Sequence, residues 1–253
     1  MIPTPIQSAL AALRDHQVPV LLLGGQASIL YGGAEFSRDL DLLLAATPTT
    51  VPRLEAALAD LEAELIAVPP LDLAMLARGH AVHYRCGRMD VRGLRLDIMT
   101  RPPRLIDVEG AWRRAVDFDL AGLQVPVVAL EDLILTKKTQ RDKDWAIIGT
   151  LVRADMVRHG TAGPERRRLW FREAREADDL VALAAAFPVD ARAASVDRPL
   201  LESAMAGDRA ALELALAEEQ IKGKQADRDY WAPLRAELEQ IRHDYRRGRA
   251  GGE

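Results

Sequence analysis

Apolar and polar positions alternate along the chain in two different rhythms, and the changeover divides it. Residues 5–16 carry apolar side chains at helical spacing. Pro19 then opens a short apolar strand, PVLLLG, ended by Gly24 and Gly25. QASILYG reads as a short helix and RDLDLLLA as a second strand. Residues 49–65 read as one helix with a Thr start signal and a proline in its first turn. LDLAMLARG reads as a further short helix. AVHYRCG and LRLDIMT read as paired strands joined through RMDVRG. A helix around 105–117 and a strand, QVPVVA, follow.

From Leu130 the strand rhythm fades. LEDLILTKKTQ, RDKDWAIIGTLVRADMVRH, PERRRLWFREAREADDLVALAAAF, DRPLLESAM and DRAALELALAEEQ all read as helical, and a last helix runs from about Trp231 to Tyr245. The expectation is an α+β domain over residues 1–128 and a helical domain over 129–253. The tail RRGRAGGE is expected to fray.

Composition narrows the class. The chain has 253 residues, 49% hydrophobic and 28% charged, an ordinary globular mixture long enough for a sizeable core. A formal net charge of −4 argues against a generic nucleic-acid coat. The single cysteine, Cys86, excludes an internal disulfide and suits a reducing cytoplasm. The first residues lack a basic stretch ahead of an apolar one, so no signal peptide is expected. VPVLLLGG is too short to span a bilayer, and no membrane partner is expected.

Two aspartates then stand out. Side chains on a strand alternate faces, so Asp39 and Asp41 point one way while Leu40 and Leu42 point into the packed face. Two carboxylates on one face repel unless a cation, a shared proton or a nearby Arg or Lys intervenes. A third apolar-flanked acid occurs in Leu96-Asp97-Ile98. If those strands are neighbours, three carboxylates converge, and an all-oxygen donor set suits Mg²⁺ or Mn²⁺ rather than zinc. The plain alternative pairs Asp39 with Arg38 or Arg95 and leaves Asp97 at a strand end. Gly24 and Gly25 either let backbone amides approach a phosphate or simply make a tight turn. Ser37 and Arg38, just before the first acid, either touch phosphate or, in the case of Arg38, neutralise the acids.

The set Leu23-Gly24-Gly25, thirteen residues, Asp39-Leu40-Asp41 and a later Asp97 resembles the DNA polymerase β-like nucleotidyltransferase superfamily. That resemblance implies a mixed sheet flanked by helices. It also implies that Asp39, Asp41 and Asp97 bind the metal ions and perform catalysis. Gly24 and Gly25 would cradle the triphosphate of an NTP substrate, with Gln26 nearby. The later form Leu133-Ile134, Lys137, Arg141, Lys143, Asp144 resembles the segment after the catalytic domain in abortive-infection (AbiE-type) toxin nucleotidyltransferases and the related MenT toxins. It implies that Lys137 contacts nucleotide phosphates and that Asp144 is a catalytic or orienting acid. On one continuous helix Lys137, Arg141 and Asp144 would share a face, with Leu133 and Ile134 packed inward; a solvated, salt-bridged face is the plain alternative. The same resemblance implies a tRNA end as acceptor and a cognate antitoxin as partner. The aminoglycoside nucleotidyltransferases of the superfamily keep a small-molecule acceptor open, and a non-catalytic nucleotide-binding module is a third reading.

Other features are read as structural. His80, His83 and Cys86 do not make a zinc set. The clusters Arg166-Arg167-Arg168 and Arg246-Arg247-Arg249 are solvated helix faces or, less simply, an RNA footprint. Trp170-Phe171 and Tyr230-Trp231 are packing residues.

Overall fold

A computed structural model describes residues 3–34, 36–160 and 162–250, with backbone alone for 245, 246 and 248–250. The chain parts into two compact units, each discontinuous in sequence. One comprises Met1–Leu30, Phe36–Thr136 and Asp229–Glu253; the other comprises Tyr31–Glu35 and Lys137–Arg228. A single boundary after residue 128 does not describe this division. The helix beginning at Leu130 stays with the sheet through Thr136, and the chain returns to the sheet unit from Asp229.

The sheet unit begins with α1 (Thr4–Asp15), β1 (Val20–Leu22), α2 (Gly24–Leu30), β2 (Asp39–Leu44) and α3 (Thr50–Asp60). It continues with β3 (Glu64–Ala67), α4 (Leu73–Arg78), β4 (Val82–Arg85), β5 (Arg95–Met99), α5 (Val108–Arg114), β6 (Val116–Leu120), β7 (Leu123–Val127) and α6 (Leu130–Lys137). Seven strands form one mixed sheet in the order β3-β4-β5-β2-β1-β7-β6. β2 runs parallel to β5 at its centre and antiparallel to β1. The expected α+β class, a mixed sheet with helices and a helical region after it, is the observed one. The core is aliphatic: Leu21, Leu22, Leu40, Leu42, Leu43, Leu44, Leu96 and Ile98 are all buried. At about 25 cal/mol per Å² of apolar surface, such burial dominates the unit's stability.

Two strands had been hidden inside longer helical readings. The helix expected over 49–65 stops at Asp60, because Glu62 adopts a left-handed φ of 48° and Ala63 N–H turns back to Leu58 O. Residues 64–67 then pair with β4 as an edge strand. The helix expected to reach 117 ends at Arg114, and VDFDL forms a hairpin with β7. Its two-residue turn, Ala121-Gly122, has φ of 56° and 90°, the double left-handed conformation of a tight hairpin.

The helical unit carries α7 (Asp142–Arg158), α8 (Pro164–Glu173), α9 (Ala177–Ala186), α10 (Pro188–Ser195) and α11 (Leu201–Ala206). The helix α12 (Arg209–Ala250) contributes its residues as far as Arg228. The long helix expected over 164–187 is broken at residues 174–176, where Ala174 and Glu176 are extended. α12 instead fuses two expected helices and runs through Pro233. It covers part of the tail expected to fray; residues 251–253 of that tail lie outside the described residues. Trp170 and Phe171 are core residues here, as expected. Among the described residues no helix is long and apolar enough to cross a membrane.

Candidate active site

The alternation read from RDLDLLL holds in space. Asp39 and Asp41 are half-buried on one face of β2, while Leu40 and Leu42 are buried on the other. The parallel register with β5 sets Asp39 beside Arg95 and Asp41 beside Asp97. The antiparallel register of β4 adds His83 beside Asp97 and Arg85 beside Arg95. Paired residues on adjacent strands share a face. One face therefore carries two rows across three strands: Asp41-Asp97-His83 and Asp39-Arg95-Arg85.

The glycine pair fixes the edge of this face. Gly24 has φ of +63°, and a Cβ there would lie 1.8 Å from Asp41 Oδ2. A Cβ on Gly25 would lie 2.1 Å from Ser37 Oγ. Only glycine permits both approaches. The Gly25 N–H points at Asp41 Oδ2, 3.4 Å away. Gln26 is wholly buried, and its amide donates to the backbone oxygens of Ser37 at 3.0 Å and Asp39 at 3.4 Å. It clips the loop that leads into β2, so it acts on the site through the backbone. Arg38 is exposed and sits 5.6 Å from the Phe36 ring. Neither Arg38 nor Arg95 forms a close ion pair with Asp39 among the described residues; Arg95, beside Asp39 in register, pairs with Asp97 and acts on Asp39 through its charge alone.

Asp97 is occupied. Its Oδ1 accepts from Arg95 Nε at 2.7 Å and contacts His83 Nδ1 at 2.7 Å. Burial pushes the Asp97 carboxyl up, but the hydrogen bonds with His83 and Arg95 outweigh it and hold its pKa below the ordinary carboxylate value. Hydrogen bonding to Asp97, with the charges of Asp97, Asp39 and Asp41 behind it, outweighs burial and raises the Arg95 pKa. His83, which hydropathy and spacing do not single out, is thus part of the site. Its signal was the strand register, which one chain's hydropathy does not encode.

The donor set bears on a metal. Asp39 and Asp41 are hard oxygen donors on one face with a third carboxylate in register, which fits a divalent cation of the Mg²⁺ or Mn²⁺ type. Among the described residues no three His, Cys, Asp or Glu side chains are grouped to hold a metal as they stand. The engagement of Asp97 by Arg95 and His83 is a physical reason. His80 serves a different carboxylate, with Nε2 2.8 Å from Glu237 Oε2, so the two histidines do not converge. Cys86 is buried, which pushes its thiol up to about 11 and leaves it inert at neutral pH.

Lys137 and Asp144 lie in the helical unit. They are not on one continuous helix: α6 ends at Lys137, residues 138–141 turn, and α7 starts at Asp142. Thr139 and Trp145 build that turn, with Trp145 Nε1 donating to Thr139 O at 2.6 Å. The turn still gathers the predicted residues. Asp144 is 1% exposed; its Oδ2 accepts from Arg141 Nε at 2.7 Å, and its Oδ1 lies 3.6 Å from Lys137 Nζ. Leu133 and Ile134 are fully buried, as expected. The basic cluster at 166–168 is largely spent internally, Arg166 on Asp155 and Arg167 on Asp190. Arg246 and Arg249 of the other cluster lie outside the described side chains.

No family model matches the chain, and no curated protein does. Several solved structures are similar. An antigenic nucleotidyltransferase-like protein from Paracoccidioides brasiliensis is 15% identical, covering 62% of this chain and 86% of its own, at a TM-score of 0.39. JHP933 from Helicobacter pylori is 16% identical, covering 91% and 95%, at 0.38. The antibiotic-resistance factor ANT(2'')-Ia is 16% identical, covering 95% and 96%, at 0.36. Likeness at this level decides neither family nor reaction; those rest on the chain's own residues.

Proposed function

We propose that this chain is a metal-dependent nucleotidyltransferase that moves an NMP from an NTP to an acceptor hydroxyl. The observation that carries the reading is the carboxylate face of β2 and β5, with Asp41 packed against the Gly24 backbone. In the reaction the acceptor oxygen bonds to the α-phosphorus, the bond to the β-phosphate oxygen breaks, and pyrophosphate leaves with that electron pair. Asp39 and Asp41, joined by Asp97, would hold Mg²⁺ or Mn²⁺. When bound, such ions neutralise phosphate charge and clamp the attacking and leaving oxygens.

The chain's own residues do the rest. Gly24 and Gly25 present backbone to the triphosphate without side-chain obstruction. Ser37, held beside Gly25, and the exposed Arg38 extend the phosphate-binding edge. Gln26 holds that edge in place. Asp97 draws the proton from the acceptor hydroxyl. For Lys137 and Asp144 the part carried forward is the one the resemblance gives: Lys137 on the nucleotide's phosphates and Asp144 orienting it.

The acceptor reading is a tRNA end in a toxin–antitoxin or phage-defence setting in the cytoplasm. A small hydroxyl-bearing acceptor is the second reading, and one observation favours it: Arg166 and Arg167 are spent on internal carboxylates rather than left for a phosphate backbone. The test is transfer of label from α-phosphate-labelled NTPs, with Mg²⁺, to total tRNA or to a panel of aminoglycosides and other polyols. Labelled RNA supports the first acceptor and labelled small molecule the second. No transfer and no pyrophosphate release with any acceptor contradicts the reading.

A further inference from the structure

Arg95 lies in the middle of the carboxylate face. It stands beside Asp39 in the β2–β5 register and two residues from Asp97 on the same face of β5. Its Nε donates to Asp97 Oδ1 at 2.7 Å, and its Nη2 lies 3.2 Å from His83 Nδ1. The β2–β5 register sets the guanidinium beside Asp39, and its charge also reaches Asp41. Its side chain remains 40% exposed, so it is free to leave without unfolding anything. Asp97 offers it one oxygen only: both donors use Oδ1, and Oδ2 carries no hydrogen bond among the described residues.

We propose that Arg95 is a built-in counter-ion, which holds Asp97 until divalent ions bind the acids and then passes to a phosphate of the bound nucleotide. This rests on the nucleotidyltransferase reading above. Three carboxylates on one sheet face repel, and a cation must sit among them for the face to persist. Arg95 fills that part. Divalent ions can begin at Oδ2 of Asp97 and at Asp39, without first displacing the guanidinium. Once they bind, they supply the compensating charge, and like charge drives the guanidinium off. A planar fork of donors beside a triphosphate then has an anion whose geometry matches it. Arg95 is thus a positioning residue before binding and a phosphate ligand after it.

The test compares wild type, Arg95→Met and Arg95→Lys, each checked for an unchanged circular dichroism spectrum. Mn²⁺ binding is read by electron paramagnetic resonance, without nucleotide and then with a non-hydrolysable NTP analogue. Without nucleotide, Arg95→Met binds Mn²⁺ about tenfold more tightly than wild type, because a competing charge is gone. Arg95→Lys stays within about twofold of wild type, because the charge remains. At saturating Mn²⁺, Arg95→Met binds the analogue about fivefold more weakly. Equal or weaker Mn²⁺ binding by Arg95→Met overturns the counter-ion role. Tighter Mn²⁺ binding with unchanged analogue binding overturns the transfer to phosphate. Those failures leave the enzyme reading standing, whereas wild type that binds neither Mn²⁺ nor the analogue overturns both.

Discussion

Two regions of the molecule spend carboxylates in opposite ways. In the helical unit the buried Asp155 and the half-buried Glu219 are each matched by several donors. Asp155, 4% exposed, accepts from both Nε and Nη2 of Arg166 and from Trp170 Nε1, all at 2.8 Å. Glu219 takes Arg198 at 3.0 and 2.8 Å and Arg175 at 2.8 Å, and the same arginines cap the carbonyls of Phe171, Ala174 and Leu216. Donors and acceptors match, and the clusters staple helices together. On the β2–β5 face three half-buried carboxylates lie side by side around Arg95 and His83. Like charges gathered on one face repel, which is the signature of groups held ready for a ligand.

Removing one of these acids has the largest expected effect. Asp39→Asn and Asp41→Asn each lower turnover by roughly a thousandfold or more, the scale of losing a principal electrostatic group in a transition state. Steady-state kinetics on variants with unchanged melting temperature checks this. Turnover within tenfold of wild type in either variant would remove the metal assignment.

Breaking a matched cluster affects stability instead. Asp155→Asn takes the carboxylate from the exposed Arg166 and the buried Trp170 Nε1 and, discounted for the solvent around Arg166, costs about 1–2 kcal/mol. Urea unfolding should show that loss, with catalysis by the folded fraction unchanged. Gly24→Ala acts on both accounts. It forces a Cβ against Asp41 in a left-handed backbone conformation, costing about 2 kcal/mol and lowering turnover together. A variant with full activity would show that Asp41 is not held where the site needs it.

The pH dependence sharpens the contrast. For Asp155, burial raises the pKa, but the hydrogen bonds from Arg166 and Trp170 outweigh it and hold the folded value low. Glu219 is held low in the same way by Arg198 and Arg175. A depressed folded pKa contributes stability that is complete above the unfolded value of about 4 and is lost as pH falls through the folded one. Urea midpoints should therefore be flat from pH 7 to about 5 and drop below about 4. Asp155→Asn should make that acid limb shallower; an unchanged limb would mean Asp155 carries none of it. The smallest effect is expected far from either region. Ala121→Gly in the β6–β7 turn relieves a left-handed alanine and stabilises the sheet unit by about 0.5 kcal/mol, read as a small rise in melting temperature.

Much of the site was legible because it is written in alternation. Asp39 and Asp41 among buried leucines, and Asp97 between Leu96 and Ile98, declare their face without any tertiary information. Gly24 and Gly25 declare a close approach, although only the fold shows that Asp41 and Ser37 are what they approach. His83 was not legible as a site residue, and Arg95 was legible only as a partner for Asp39, because strand register across β4, β5 and β2 brings both to Asp97. The hidden strands β3 and β6 share a cause. ELIA and VDFDL are too short to outweigh the helical rhythm before them, and left-handed residues at Glu62 and Ala121 mark the chain reversals. The turn at 138–141 was missed because KTQR carries no glycine or proline, the punctuation on which such reading depends.

The most direct measurement is a crystal structure of the protein soaked with Mn²⁺ and a non-hydrolysable NTP analogue, with anomalous scattering recorded at the manganese edge. The account predicts anomalous peaks on the carboxylates of Asp39 and Asp41 with the triphosphate against Gly24 and Gly25. Nucleotide bound elsewhere, or manganese absent from that face under saturating conditions, would contradict it.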